Sequence, residues 1–430
     1  MKSVLKLILI FLFVSNLKAD EVFLKYLESA LKNNPKLNSE RSNLKSVKQN
    51  INISRSEFLP SLTLEGSHTS STSSNRTDSS GSALSDTNLD TETKSIIIDQ
   101  KIFQGFQGYN SLKKSELEVE KATFELKKVE QEIILDTANV YFNLIFKDKN
   151  KKFNLSNVDL FERQVELDKA RLQKGQITLT DLAQSESSLA RANAKLIAAE
   201  TELFGAKANF ERVIQKIPPE NIFFQNGISM NLPSSLKQSI DLAKQNNPEL
   251  LISKYESLIA EKNLNIEKSK ISPTASLNYT KSENSELSST IDKTDEEKVM
   301  ATIKWPIIKG GKNFSSIKKS RFDKEKAKLS YEDSVNKIKT DTINAWSNYQ
   351  SAESVLLATK AQLKASEIAN EGITLEYDSG NTRTTLELIQ SRSLLLESRI
   401  ENAKAERDYV ISKFKLLSQV GDLSLTSIKN

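Results

Sequence analysis

The chain has 430 residues, with 61 Lys and Arg against 56 Asp and Glu, so its formal net charge is only +5. A charge this close to neutral argues against nucleic acid as a partner. The chain contains no cysteine, which excludes disulfides, thiolate metal sites and a lipidation cysteine. Its 12 Gly and 8 Pro are few for this length and favour a mostly helical protein.

The N-terminus has the features of a secretory signal peptide. Lys2 and Lys6 precede an apolar run from Leu7 to Val14, and cleavage is predicted after Ala19. The apolar run is too short to span a membrane as a helix, which takes about 20 residues. We therefore expect an exported protein whose mature form has lost three lysines, leaving a formal charge of +2.

Two stretches without Gly or Pro follow, Tyr109–Lys174 and Lys312–Glu371. Apolar residues recur in the first at helical spacing, and a helix of that length would extend roughly 100 Å. The stretches lead to Gly175 and Gly380, and each glycine is followed by a second long helical pattern. The sequence thus predicts two long helical hairpins of the coiled-coil type.

The chain is internally duplicated. Residues 30–64 match 243–277 at an offset of 213, and Gly105 to Gly175 match Gly310 to Gly380 at an offset of 205. The clearest repeated motif is Asn-Asn-Pro, at 33–35 and 246–248. Such ordered matching predicts two structural repeats.

Each repeat also contains a strand pattern. Residues 275–280 and 299–305 alternate apolar and polar side chains, which is typical of a hairpin with one polar and one apolar face. In the first repeat we expect strands around 62–67 and 94–103, with residues 69–92 as a solvated loop. A half-buried hairpin of a soluble domain is one interpretation; strands of an outer-membrane barrel are the other, favoured by export. Four strands cannot close a barrel, so a membrane role would require several chains.

The second helix of each predicted hairpin carries a heptad pattern. In the first repeat it comprises Leu182, Leu189, Leu196, Leu203 and Phe210. Ile389, Leu396, Ala403, Val410 and Leu417 are interpreted as the equivalent seam of the second repeat.

The predicted organisation divides the chain into consecutive parts. These are a signal peptide (1–19), a first repeat (20–216) with a β-hairpin at about 59–104 and a helical hairpin at about 107–216, a linker (217–235), a second repeat (236–420) with a β-hairpin at about 272–307 and a helical hairpin at about 312–420, and a polar tail (421–430).

Taken in order, these motifs resemble the TolC-type outer-membrane efflux duct family over the whole mature chain. The resemblance rests on the duplicated Asn-Asn-Pro, on Trp305–Gly311 at a strand-to-helix junction, and on Gly380–Glu387. It implies a mainly helical trimer whose strands form one twelve-stranded barrel in the outer membrane, continued by an α-helical barrel across the periplasm. Lys101 and Phe106 depart from the family pattern, which expects proline and glycine there, and this leaves the geometry of the first strand-to-helix junction open.

The resemblance also implies functional residues at the hairpin tips. Asp181, Tyr377, Arg383 and Glu387 occupy positions that hold the periplasmic entrance closed, while Gly175, Thr180, Gly380 and Thr382 lie at tips that contact an adaptor. Helix capping is the alternative role for Thr178, Thr180, Asp181 and Thr382, since hydroxyls and acids are favoured at helix N-termini. Tyr279 and Trp305 are expected near the membrane interface, with Ile303 facing lipid and Thr302 facing the lumen.

The sequence shows no catalytic motif, phosphate-binding loop or metal-ligand cluster, and its single histidine, His68, stands alone. We therefore expect no enzyme activity and no cofactor. The expected function is passive export of drugs, small molecules or type I secreted proteins, received from a periplasmic adaptor and an inner-membrane pump of the resistance-nodulation-division or ABC type. A periplasmic adaptor or structural coiled-coil protein of an export complex is the alternative.

Overall fold

The computed structural model describes residues 19–219, 228, 230–288, 291–379 and 383–429. The predicted signal peptide therefore lies almost wholly outside the described residues, as do Gly380 and Thr382. The helices are α1 (Ala19–Asn33), α2 (Pro35–Ser56), α3 (Gln107–Gln173), α4 (Leu179–Ile214), α5 (Leu236–Asn246), α6 (Pro248–Ser269), α7 (Lys312–Asp378), α8 (Thr385–Val420) and α9 (Leu425–Lys429). The strands are β1 (Ser61–Ser73), β2 (Arg76–Thr77), β3 (Ala83–Leu84), β4 (Thr87–Phe103), β5 (Thr274–Ser288) and β6 (Ile291–Lys304).

The chain forms two compact units, and each combines segments from both sequence repeats. One unit takes the residues up to 41, 125–250 and those from 334 onward; the other takes 42–124 and 251–333. None of the described helices is long and apolar enough to cross a membrane.

The first unit is built around an aromatic and aliphatic core. The ring of Phe23 in α1 packs 5.2 Å from Tyr141 in α3 and 5.7 Å from Phe414 in α8. Leu423 and Ile428 are buried in the same core, so residues 421–430 are not simply a polar tail as predicted. The short helix α9 instead contributes Ile428 to this core.

The duplicated Asn-Asn-Pro motif has a structural explanation. The Asn34 side-chain oxygen accepts from the backbone N–H of Lys36 (3.0 Å), while its amide donates to the Val213 carbonyl at the end of α4 (3.2 Å). Asn247 does the same in the second repeat, accepting from Glu249 N–H and donating to the Gln419 carbonyl at the end of α8 (2.8 Å). One asparagine thus caps the start of one helix and the end of another.

The second unit contains an antiparallel sheet in the order β1-β4-β5-β6. The strands run further than predicted: β1 continues to Ser73 and β4 begins at Thr87, so much of the expected loop 69–92 is strand, including the small β2–β3 pair. A Ser- and Thr-rich sequence does not by itself predict a strand. Backbone pairing between the strands, as between Ser71 and Leu89, gives this segment its regular structure.

The strand-to-helix junction keeps its geometry despite Phe106. Phe106 has φ +67°, close to the +77° of its counterpart Gly311, and Gly105 and Gly310 match at +59° and +54°. A left-handed conformation costs a non-glycine residue about 1–2 kcal/mol, which this junction tolerates. At Gly105 even a Cβ is excluded, because it would lie 2.4 Å from the Ser272 Cβ.

Candidate functional site at the hairpin tips

The tip between α3 and α4 is held by a capping box. Gly175 has φ +72°, and Gln176 N–H donates to the Arg171 carbonyl (2.9 Å), which ends α3. Thr178 caps α4: its backbone N–H (3.0 Å) and hydroxyl (2.7 Å) donate to the Asp181 carboxylate, and Asp181 N–H donates back to the hydroxyl (3.2 Å). These bonds, the one from the Thr178 hydroxyl first, lower the pKa of Asp181. The predicted capping role of Thr178 and Asp181 is confirmed.

The tip between α7 and α8 repeats this arrangement with one difference. The cap of α8 is Thr384, which forms a capping box with Glu387; the prediction that Thr382 caps α8 is wrong. Arg383 donates to Glu376 in the last turn of α7 (2.6 Å) and to Glu387 in the first turn of α8 (3.1 Å). Hydrogen bonds from the Thr384 backbone and from Arg383 lower the pKa of Glu387. Arg383 therefore ties the two helices of its own hairpin together at the tip.

The two capping boxes also correct the alignment of the repeats. Thr178 and Thr384 differ by 206 residues, and α4 and α8 have equal lengths of 36 residues. Leu182 is therefore equivalent to Leu388, not to Ile389 as the heptad pattern suggested. The packing agrees, because Phe161 and Ala192 meet in the first hairpin where Ser366 and Ser398 share a hydrogen bond of 2.9 Å in the second.

Behind the tips lies a buried polar cluster that joins both hairpins. Asp168 of α3 has no exposed surface; its carboxylate accepts from Ser185 of α4 (2.6 Å), from Gln164 of α3 (2.9 Å) and from the hydroxyl of Tyr377 in α7 (3.1 Å). The Tyr377 hydroxyl also lies 3.2 Å from the hydroxyl of Thr385 in α8. All four long helices thus contribute to one hydrogen-bonded cluster, in which α8 reaches the Asp168 carboxylate through Tyr377.

Two arginines extend this cluster. Arg392 of α8 donates to the side-chain oxygen of Gln164 (3.2 Å), and burial lowers the pKa of its guanidinium. The guanidinium of Arg171 lies over the Tyr377 ring, 4.6 Å from its centroid, which is cation–π geometry. Two guanidinium groups therefore contact the residues that donate to the buried carboxylate, Arg392 at Gln164 and Arg171 at Tyr377.

Of the predicted gate residues, the structure brings only Tyr377 into contact with the other hairpin. Asp181, Arg383 and Glu387 bond within their own tips. The sequence analysis did not identify Asp168, Gln164, Thr385 or Arg392 as functional residues. One signal for Asp168 was available: it lies seven residues after the buried Phe161, at a heptad position where a coiled-coil seam would have an apolar residue. A charged residue at such a position requires buried partners.

A groove of about 750 Å³ runs beside the tips between α4 and α8. Its lining includes Thr180, Gln184 and Arg191 of α4 with Leu386 and Gln390 of α8. Thr180 thus lies on an open surface rather than in a hydrogen-bonded cap. His68, by contrast, is exposed on β1, 4.0 Å from Glu92.

Comparison with known proteins decides the family. The model of outer membrane efflux proteins matches residues 26–214 and 239–422, one segment for each repeat. The chain belongs to the outer membrane efflux protein family. It is 26% identical to the outer membrane efflux protein BepC of Brucella suis over 93% of this chain and 85% of that protein. It is 20% identical to the outer membrane protein TolC of Escherichia coli K12, over 95% and 84%.

Solved structures show the same fold. The Campylobacter jejuni CmeC outer membrane channel superposes with a TM-score of 0.83 at 14% identity, over 93% of this chain and 85% of that one. The outer membrane channel OprN gives a TM-score of 0.81 at 17% identity, over 94% and 91%. This efflux family member is therefore a mainly helical chain with a small sheet, as the sequence predicted.

Proposed function

We propose that this efflux protein is a passive export duct of the outer membrane that works as a homotrimer. The sheet supports this assembly, because β1 and β6 are its two edges in the described chain. Unpaired edge groups cost several kcal/mol each in lipid, so the edges of neighbouring copies would pair. Three sheets of four strands then give a barrel of twelve.

The two faces of the sheet support a membrane location. Strand pairing places Leu62, Ile98, Tyr279 and Val299 side by side on one face, with Ile303 on the same face. Thr63, Thr280 and Lys298 lie on the opposite face, as does Thr302. We infer that the apolar face contacts lipid and the polar face lines the lumen.

Tyr279 and Trp305 are the proposed interface residues. Tyr279 lies one step before the charged pair Lys281–Glu297 on the apolar face, whereas Trp305 follows the end of β6 and donates its indole N–H to the Ile271 carbonyl (3.2 Å). The two rings would mark the two borders of the lipid-facing band.

The gate is proposed to be the buried cluster around Asp168. A single tyrosine hydroxyl, that of Tyr377, reaches from one hairpin to the carboxylate of the other, so swinging the hairpins apart must break that bond. Hydrogen bonds to charged groups contribute about 1.5–3 kcal/mol each, a quantity that binding of a partner to the open state can offset. Opening would then need no hydrolysis by the duct itself, and we propose no enzyme activity and no cofactor.

Asp181, Arg383 and Glu387 are proposed to complete the closed mouth between copies. Within one chain each is bonded in its own tip, and each is exposed enough to meet a neighbour as well. Such exposed pairs contribute about 0–1 kcal/mol each. They would therefore favour one arrangement of the closed mouth more than they would stabilise it.

The groove beside Thr180 is the proposed seat of a periplasmic adaptor, with Gly175, Gly380 and Thr382 at the adjoining tips. Its two parallel helices leave a concave surface between them that suits a helical hairpin. Through the adaptor the duct would receive drugs, small molecules or type I secreted proteins from an inner-membrane pump of the resistance-nodulation-division or ABC type.

The observation that carries the proposal is the Tyr377–Asp168 bond, and Tyr377→Phe tests it. We expect raised single-channel conductance in planar bilayers from trimers that still migrate as heat-modifiable oligomers in the outer-membrane fraction. Tyr409→Phe is the matched control, since its hydroxyl contacts Glu353 within one hairpin (3.5 Å) and should leave conductance unchanged.

Two results would count against the proposal. Unchanged conductance in stable Tyr377→Phe trimers would remove the gate. A soluble periplasmic protein without trimers would remove the duct and favour an adaptor or structural coiled-coil protein.

A further inference from the structure

A polar cavity of about 360 Å³ lies in the first unit, between α3, α4 and α8. It shares no lining residue with the groove beside the tips and contains none of the proposed gate residues. Its polar lining residues are Asn139, Asn143, Asn209, Arg407, Asp408 and Lys415. A cavity lined mainly by amide and charged groups favours a polar ligand over an apolar one.

Two asparagines of α3 line this cavity from one face of the helix. Asn139 and Asn143 lie four residues apart, which places their side chains next to each other along α3. Both are half-buried, whereas the equivalent Asn344 and Asn348 of α7 are exposed to solvent. An amide that is partly withdrawn from water gains more from a new hydrogen-bonding partner, because its own hydration is incomplete. The pair on α3 is therefore the better placed of the two to bind a ligand.

Arg407 fixes the direction in which the amide of Asn143 faces. Its Nη1 donates to the side-chain oxygen of Asn143 (3.2 Å), and its guanidinium lies over the Phe146 ring, 4.7 Å from the centroid. A guanidinium can only donate, so the Asn143 oxygen must point toward it and the NH2 group away from it. In the part of the chain that the structure describes, this NH2 group has no acceptor. Asn143 therefore has N–H donors available for a ligand in the cavity.

The charged residues leave one positive charge and one acceptor oxygen unused. Nε and Nη2 of Arg407 donate to Oδ1 of Asp408 (2.9 and 2.7 Å), so these two opposite charges compensate each other. Oδ2 of Asp408 accepts no hydrogen bond from the described residues, and the Lys415 ammonium forms no ion pair with them. The site thus combines an uncompensated ammonium and several amide donors with a single carboxylate acceptor.

We propose that this cavity binds a phosphate group that carries one proton, either as inorganic phosphate or at the end of a small phosphate ester. Lys415 and the three asparagines supply positive charge and donors for the unprotonated phosphate oxygens. The P–OH group donates its proton to Oδ2 of Asp408. Sulfate has the same shape but carries no proton at neutral pH, so the Asp408 carboxylate repels it. Cavities of about 300–1,000 Å³ hold small organic ligands, so the organic part of an ester has room beside the phosphate.

Isothermal titration calorimetry of the detergent-purified full chain tests the site with glucose 6-phosphate and with inorganic phosphate. At about pH 6 a phosphate monoester carries its second proton roughly half of the time. We expect saturable binding of both probes and none of free glucose; tighter binding of the ester identifies an ester as the ligand, and equal affinity identifies free phosphate. Lys415→Gln should weaken binding at least tenfold, because a charge-assisted hydrogen bond is lost. The matched control is Lys404→Gln, an exposed lysine of the same helix outside the cavity, which should bind like the unchanged protein.

Two further variants test how the phosphate is recognised. Asn143→Asp keeps an acceptor for Arg407 but removes the NH2 donors, so phosphate binding should again weaken at least tenfold. Asp408→Asn keeps an oxygen for Arg407 and replaces the free acceptor by a donor, so the preference for phosphate over sulfate should fall at least tenfold. Sulfate binding as tight as phosphate binding in the unchanged protein would overturn the assignment. Absence of saturable phosphate binding, or an equal loss in Lys404→Gln and Lys415→Gln, would overturn the site itself.

Discussion

Replacing Asp168 should loosen the hairpin tips by an amount that can be worked out from its bonds. Asp168→Ala leaves the donors of Ser185, Gln164 and Tyr377 without their shared acceptor in a site with no solvent exposure. Breaking a buried charged network costs about 3–5 kcal/mol. Asp168→Asn keeps one acceptor oxygen and offers an amide to Ser185, so its cost should be about 1–2 kcal/mol.

Amide hydrogen exchange measures this difference locally. Segments 160–172 and 372–379 should exchange at least a hundredfold faster in Asp168→Ala, because each 1.4 kcal/mol changes an opening equilibrium about tenfold. Amides around the fully buried Phe210 should keep their protection. Asp159→Ala, at an exposed position of the same helix, is the control. Equal exchange in the Ala and Asn variants would refute the network as the source of stability at the tips.

Two further substitutions test other parts of the fold. Ile303→Arg should destabilise the assembled protein by about 2–4 kcal/mol if its face meets the bilayer midplane, while Thr302→Arg should be tolerated; equal denaturation midpoints for the two variants would contradict the assigned faces. Gly421→Ala should reduce thermal stability markedly, because φ is +79° and the new Cβ would lie 2.3 Å from a backbone oxygen at the end of α5; an unchanged melting temperature would contradict this close packing.

The sequence predicted best what depends on local chemistry. Three such features follow from residues within a few positions of one another. They are the helix break at Asn34-Pro35, the end of α3 before Gly175, and the Thr178–Asp181 cap. The family followed from the order in which such motifs occur twice. These features need no knowledge of distant partners.

What the sequence missed depends on contacts far along the chain. The sequence does not reveal the role of Asp168, because that role depends on a hydrogen bond from Tyr377, 209 residues away. The sequence predicts a loop for the outer parts of β1 and β4, because strands rich in serine and threonine are recognised only through their pairing. The heptad seam of Ile389, Leu396, Ala403, Val410 and Leu417 is predicted one position out of register with that of α4. The reason is that α8 carries two apolar stripes, and only the cap at Thr384 shows which stripe corresponds to the seam of α4.

The aromatic core of the first unit has a consequence for how the chain folds. Phe23 needs the ring of Phe414, which is separated from it by almost the whole length of the chain. Contacts of such long range form slowly, because the loop between them must be closed first. Helix α1 therefore has no complete core to join until the last residues of α8 have been synthesised. A chain whose synthesis stops before Phe414 keeps these aromatic side chains exposed, and exposed apolar surface of this kind is recognised by chaperones and proteases.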